Sequence, residues 1–168
     1  MHGTPTFVER FTNDASNSVD SAQMYHNEKE SGKAISDFLS SEANTESLSR
    51  GDVHFTSKLA SNSAYDTARK AIKRSVNESG LGYIDLFLLH SPYGGKQARL
   101  DSWKAVEDAI HDGEVKIGGV SNYGVKHVSI PWFSSTCFRC LGLARLLRLA
   151  RTWPGQESRC TLFHWASR

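Results

Sequence analysis

Apolar positions along the chain fall into two alternating periods. Short β-rich or continuous apolar runs occur at "DVHFTSKL" (52–59), "YIDLFLLH" (83–90) and "EVKIGGVSN" (114–122). The second is nearly unbroken, as a strand buried on both faces requires. The stretch ending in Val19-Asp20 is a weaker run of the same kind. Helical spacing fills the gaps between these runs. Asn27 with Glu30 forms a capping-box-like start, and the pattern continues toward Leu39. Ser63 with Asp66 opens a second helix that places Tyr65, Ala68, Ile72 and Val76 on one face, with Gly80 suited to the position after its end. In "DSWKAVEDAI" (101–110), Trp103, Val106 and Ile110 form one stripe and Gly113 is the expected stop.

A strand-helix unit therefore recurs about every 30 residues, which implies right-handed crossovers and a parallel sheet. Two α/β architectures share that pattern: an open doubly wound sheet and a (β/α)₈ barrel. A barrel typically needs about 250 residues, and this chain has 168. Length alone favours the open sheet.

Composition narrows the class. The chain is 39% hydrophobic and 23% charged, with a mean hydropathy of −0.44, values of a globular domain. It contains no apolar run of about 18 residues, so no membrane span is expected. The start, "MHGTPTFVERFTND", lacks a basic segment followed by an apolar one, so a secretory leader is not expected either. The three cysteines, Cys137, Cys140 and Cys160, are odd in number and confined to the last third. This fits a reducing, cytoplasmic setting better than a disulfide framework. The net charge of +2 conceals an asymmetry: residues 1–128 hold 14 Lys+Arg against 17 Asp+Glu, whereas residues 129–168 hold six Arg, no Lys and a single acid, Glu157. Such a shift marks a boundary in character.

In a parallel α/β protein the C-terminal strand ends share one side, where chemistry collects. The expected strand ends deliver Asp20, Lys58, His90 and the pair Ser121-Asn122 there, with Tyr25 just beyond the first. Taken singly, each has an ordinary structural role: a half-buried tyrosine, a surface lysine, a loop histidine, a turn aspartate, a helix cap. Together they suit proton delivery to a carbonyl oxygen. A phenol is a poor acid at neutral pH, a neighbouring ammonium favours its anion, and a carboxylate holds the ammonium in place. His90 would orient the carbonyl as a hydrogen-bond donor. These residues contain no metal-ligand set, and no carboxylate pair points to glycoside hydrolysis.

The segments "VDSAQMYHNE", "FTSKL", "IDLFLLHSP" and "KIGGVSNYG" resemble, in order, the signature segments of aldo-keto reductases. The resemblance runs from Val19 to His127, and the short loop from His90 to Ser121 looks like that of compact microbial members. It implies a partial (β/α)₈ barrel, its second to fifth β/α units, and reduction of an aldehyde or ketone to an alcohol by NADPH. By the same resemblance, Tyr25 would donate the proton, and Lys58 and Asp20 would tune it. His90 would orient the small-molecule carbonyl substrate. Ser121 and Asn122 would hold the nicotinamide carboxamide, and Asp20 counts with them on the cofactor side. Apart from the resemblance, Tyr93 and Trp103 are possible neighbours of the substrate, although the helical stripe places Trp103 in a core rather than at the site. The family has no Gly-rich Rossmann turn, and Gly118-Gly119 lies inside a strand-like run.

Residues 1–18 and 129–168 do not resemble the family. The second of these, the Arg-rich tail, reads as foreign to the barrel, as a truncated or frame-altered gene would leave it. Two sharper readings compete. Cys137-x₂-Cys140 with Cys160-x₃-His164 has zinc-ligand spacing, and "LGLARLLRLARTW" (141–153) sets Arg145, Arg148 and Arg151 opposite leucines, as in a basic amphipathic helix. No nucleic-acid or membrane role is expected, and the sequence leaves the oligomeric state open. The rival to a reductase is a non-catalytic remnant or interaction protein that retains the four groups.

Overall fold

The computed structural model describes residues 17–124, His127 and the backbone of residues 160–165. The chain runs β1 (Ser18–Asp20), α1 (Glu28–Leu39), β2 (His54–Leu59), α2 (Tyr65–Ser79), β3 (Ile84–Leu89), α3 (Gly95–His111), β4 (Val115–Tyr123) and β5 (Cys160–Trp165). Strands β1 to β4 are parallel and lie side by side in sequence order. That order decides between the two architectures. A doubly wound sheet reverses direction at a switch point, whereas a barrel adds each strand beside the last. The length argument gives way to the topology, and the four parallel strands with the three helices between them form a partial barrel.

The sheet has two distinct faces because strand side chains alternate with period two. The register pairs Asp20 with Thr56, Thr56 with Leu86, and Lys58 with Leu88 and then Gly119. Residues in step with these therefore share one face, and two positions further on His90 and Ser121 join it. The other face carries Phe55, Leu59, Phe87, Leu89 and Val120, which pack with Ile35, Ile72 and Val106 of the helices into one core. Every residue of β3 is buried, as its unbroken apolar run requires.

Close approach is bought with glycine at two places. A Cβ on Gly118 would stand 2.7 Å from Val106 Cγ1, so α3 lies directly on β4. A Cβ on Gly32 would stand 1.8 Å from the backbone oxygen of Ser79, so α1 meets the end of α2 at that point. Alanine would raise the helix propensity of α1 by about 1 kcal/mol. A clash with backbone has no rotamer escape, however, and overpacking costs about 1–3 kcal/mol. Gly32→Ala is therefore expected to lower the urea midpoint, with the slope of the transition unchanged.

The helix ends differ in detail from the sequence pattern. Asn27 is the N-cap of α1 but makes no side-chain cap bond; its Oδ1 accepts from Ser21 Oγ at 2.8 Å instead. Ala64, not Ser63, is the N-cap of α2, and Ser63 N–H donates to Ser102 Oγ at 2.9 Å. Helix α3 begins six residues before the expected 101, at Gly95. Gly80 and Gly113 end their helices in the left-handed conformation, at φ 66° and 77°.

Strand β5 pairs antiparallel with β4, setting Cys160 against Tyr123 and His164 against Gly118. Part of the Arg-rich tail is thus joined to the sheet. Cys137, Cys140 and the segment 141–153 lie outside the described residues.

Candidate active site

Four strand ends and one turn build the site. Lys58 is only 6% exposed, and an isolated ammonium at that depth is costly. Three acceptors compensate: Asp20 Oδ1 and Oδ2, both at 2.7 Å, and the backbone oxygen of Ser21 at 2.8 Å. All three come from the end of β1, which parallel pairing places beside Lys58. A 3₁₀ turn, Gln23–Tyr25, follows directly and brings the Tyr25 ring to the lysine, with Nζ 5.1 Å from the ring centroid. Tyr25 is half exposed, at 50%.

His90 follows β3 by one residue. Its ring meets that of Tyr25 edge-on, with centroids 5.9 Å apart and planes at 83°. Partial burial, and then the Lys58 charge, push the His90 imidazole below its ordinary value, while Asp20 pulls the other way. His90 is therefore neutral at pH 7, able to donate from one nitrogen. An imidazole depressed in this way binds fewer protons folded than unfolded. Its contribution to stability is constant above about pH 6.5 and falls as pH drops through that value. Lys58→Met removes one cause of the depression and frees Asp20 to act on the ring. The His90 midpoint, followed by the NMR signal of its ring proton, is expected to rise.

Ser121 and Asn122 sit where β4 departs from regular pairing. Between Val120, opposite Leu162, and Tyr123, opposite Cys160, β4 carries one residue more than β5. Such a bulge re-aims side chains. Asn122 accordingly adopts φ 62°, and its amide nitrogen donates to the His90 backbone oxygen at 2.9 Å and to Ser121 Oγ at 3.1 Å. The two strand ends are thereby tied together. The structure thus gathers Asp20, Tyr25, Lys58, His90, Ser121 and Asn122 at one end of the sheet. Tyr93 stands on the loop beyond His90, 79% exposed. Trp103 is a buried core residue of α3, as its helical stripe requires, and its Nε1 donates to Glu107 Oε1 at 3.0 Å.

Several residues that shape this end gave no recognisable sequence signal. Asn62 Nδ2 donates to the backbone oxygens of Ser91 and Tyr93, both at 2.7 Å, and so pins the loop after His90. Buried Glu28, at the start of α1, accepts from Ser57 Oγ at 2.5 Å, one residue before Lys58. Each is a single polar residue in a polar stretch, and only the folded chain shows where its bonds go.

The family model for the aldo/keto reductase family matches residues 5–131, reaching beyond both ends of the segment that carries the motifs. The chain belongs to the aldo/keto reductase family. An uncharacterized oxidoreductase of Schizosaccharomyces pombe is 50% identical over 110 residues, covering 66% of this chain and 38% of that protein. Among solved structures, an aldo/keto reductase from Brucella melitensis superposes with a TM-score of 0.65 at 28% identity, over 77% of this chain and 47% of that one. A Bombyx mori aldo-keto reductase in complex with NADP gives 0.62 at 27% identity, over 73% and 41%. The chain thus spans less than half the length of each of these three proteins.

Proposed function

We propose that this aldo-keto reductase chain carries the proton-delivery and carbonyl-orienting groups of an NADPH-dependent reductase that converts an aldehyde or ketone to an alcohol. The observation that carries the reading is the buried Lys58, fixed by Asp20 on one side and facing the Tyr25 ring on the other. A carbonyl that gains hydride at carbon needs a proton at oxygen. Tyr25 would give up its hydroxyl proton to that oxygen, and the Lys58 ammonium would stabilise the negative charge left on the phenol. His90, neutral and edge-on to Tyr25, would donate a hydrogen bond to the same oxygen and fix its direction. NADPH, when bound, supplies the hydride. Ser121 and Asn122 fit its nicotinamide end, since a hydroxyl and an amide at one bulge offer the donor and acceptor that a carboxamide needs. The choice of NADPH rests on the family resemblance and on the NADP-bound neighbour.

The test is to mix the purified chain with NADPH and an aromatic aldehyde and to follow nicotinamide absorbance. Steady loss of absorbance, matched by alcohol formation, is the expected result. Neither turnover nor quenching of protein fluorescence on NADPH titration would leave the non-catalytic reading standing.

A further inference from the structure

Gln23 takes no part in the proton path, yet all of its side-chain polar atoms are engaged. It opens the turn that Tyr25 closes, and it is only 7% exposed. Its Nε2 donates to the backbone oxygen of Ala71 at 3.1 Å and to Ser75 Oγ at 2.8 Å, both on α2. Its Oε1 accepts the backbone N–H of Ala60 at 2.9 Å. Ala60 lies two residues past Lys58, so one side chain ties the turn to a helix and to the end of the strand that presents the lysine. A buried, fully bonded amide has few alternative placements, because each lost bond leaves a polar atom uncompensated. Tyr25 needs such an anchor, since a half-exposed ring is only partly held by packing.

We propose that Gln23 is a positioning residue for Tyr25, setting where the phenol ring stands relative to Lys58 and His90. Its relevance to catalysis rests on the reading of Tyr25 as the proton donor. The geometry does not. Were Gln23 a stability element only, its loss would weaken the fold but leave the surroundings of Tyr25 unchanged in the molecules that remain folded.

The experiment labels the full chain with 3-fluorotyrosine and records fluorine NMR spectra. The chain has five tyrosines, and Tyr25→Phe assigns the line of interest. In the parent protein that line should shift with pH as His90 titrates, because the two rings are in contact. In Gln23→Met the line is expected to move most of the way to its unfolded-chain position and to lose the pH response. Tyr65→Phe, which removes the bond from α2 to Asp108, is expected to change neither. If Gln23→Met does not fold, Ser75→Ala removes one of the three anchors with a small truncation and should move the line the same way, by less. A Tyr25 line with unchanged position and pH response in folded Gln23→Met or Ser75→Ala overturns the proposal. Failure of the proton-donor reading shows separately, as NADPH turnover that survives Tyr25→Phe, and leaves the fluorine result intact.

Discussion

Tyr25→Phe is expected to lower kcat for aldehyde reduction by about 10²–10⁴-fold, the usual contribution of a positioned general acid, with NADPH affinity unchanged. The substitution deletes one oxygen and keeps the ring. The edge contact with His90 and the lysine's approach to the ring face both survive it, so a large loss reports the proton and not the packing. The half-exposed ring also makes little demand on stability, and the thermal midpoint should stay close to that of the parent. Rapid mixing with NADPH and aldehyde separates the effect on the chemical step from any effect on binding. Turnover that survives would remove Tyr25 from the proposed role and pass it to another acid within reach of the carbonyl, with His90 the first candidate.

The second large effect falls at the opposite end of the strands. Arg50 donates to the backbone oxygens of Leu81, Val53 and Tyr83 at 3.3, 2.7 and 2.8 Å, and to Asp85 Oδ2 at 2.8 Å. Its guanidinium lies 4.1 Å from the centre of the Tyr83 ring, and Lys116 Nζ stands 4.0 Å from the same ring. Asp85 is buried in β3, where it also accepts from Phe55 N–H at 3.0 Å and from Lys116 Nζ at 3.0 Å. This network joins β2, β3 and β4 where the strands begin, the end at which barrels keep residues for stability. Arg50→Ala leaves three carbonyls and a buried carboxylate short of a donor. Breaking a buried pair costs about 3–5 kcal/mol; the remaining Lys116 contact sets the expectation at the lower end. A domain of this size loses about 2–4 °C per kcal/mol, so calorimetry should show a fall of about 10 °C. Arg50→Lys keeps the charge but cannot fork to four acceptors, and should recover only part of it.

Strands β2, β3 and β4 were legible because each has a strong apolar signal of its own, whereas β1, only Ser18–Asp20, has a weak one. Phe55, Phe87 and Leu89 must face a core, and their alternation with Lys58 and His90 follows from the pleat. The candidate site was legible for a related reason. Asp20, Lys58, His90 and Ser121-Asn122 close their strands, and parallel strands finish on one side. The capping signals were less reliable. Asn27 does take the N-cap position of α1, but its side-chain oxygen accepts from Ser21 instead of capping the helix, and α2 is capped by Ala64 and not by Ser63. The choice of architecture also needed the folded chain. Period and spacing are the same in an open sheet and a barrel, and only the order in which strands pair distinguishes them.

Sequence by itself determined the alternation of four strands and three helices, the residue types at the strand ends and the family they point to, because those depend on local pattern and on motifs a few residues long. Tertiary structure decided what pattern does not carry. It placed the carboxylate of Asp20 on Lys58, 38 residues away. It gave Asn122 a left-handed backbone at a bulge, set β5 against β4, and engaged Gln23 with two elements remote in the chain. Each of these is a bond between parts whose separation along the chain is large, and its energy exists only after the sheet and helices have brought the partners together.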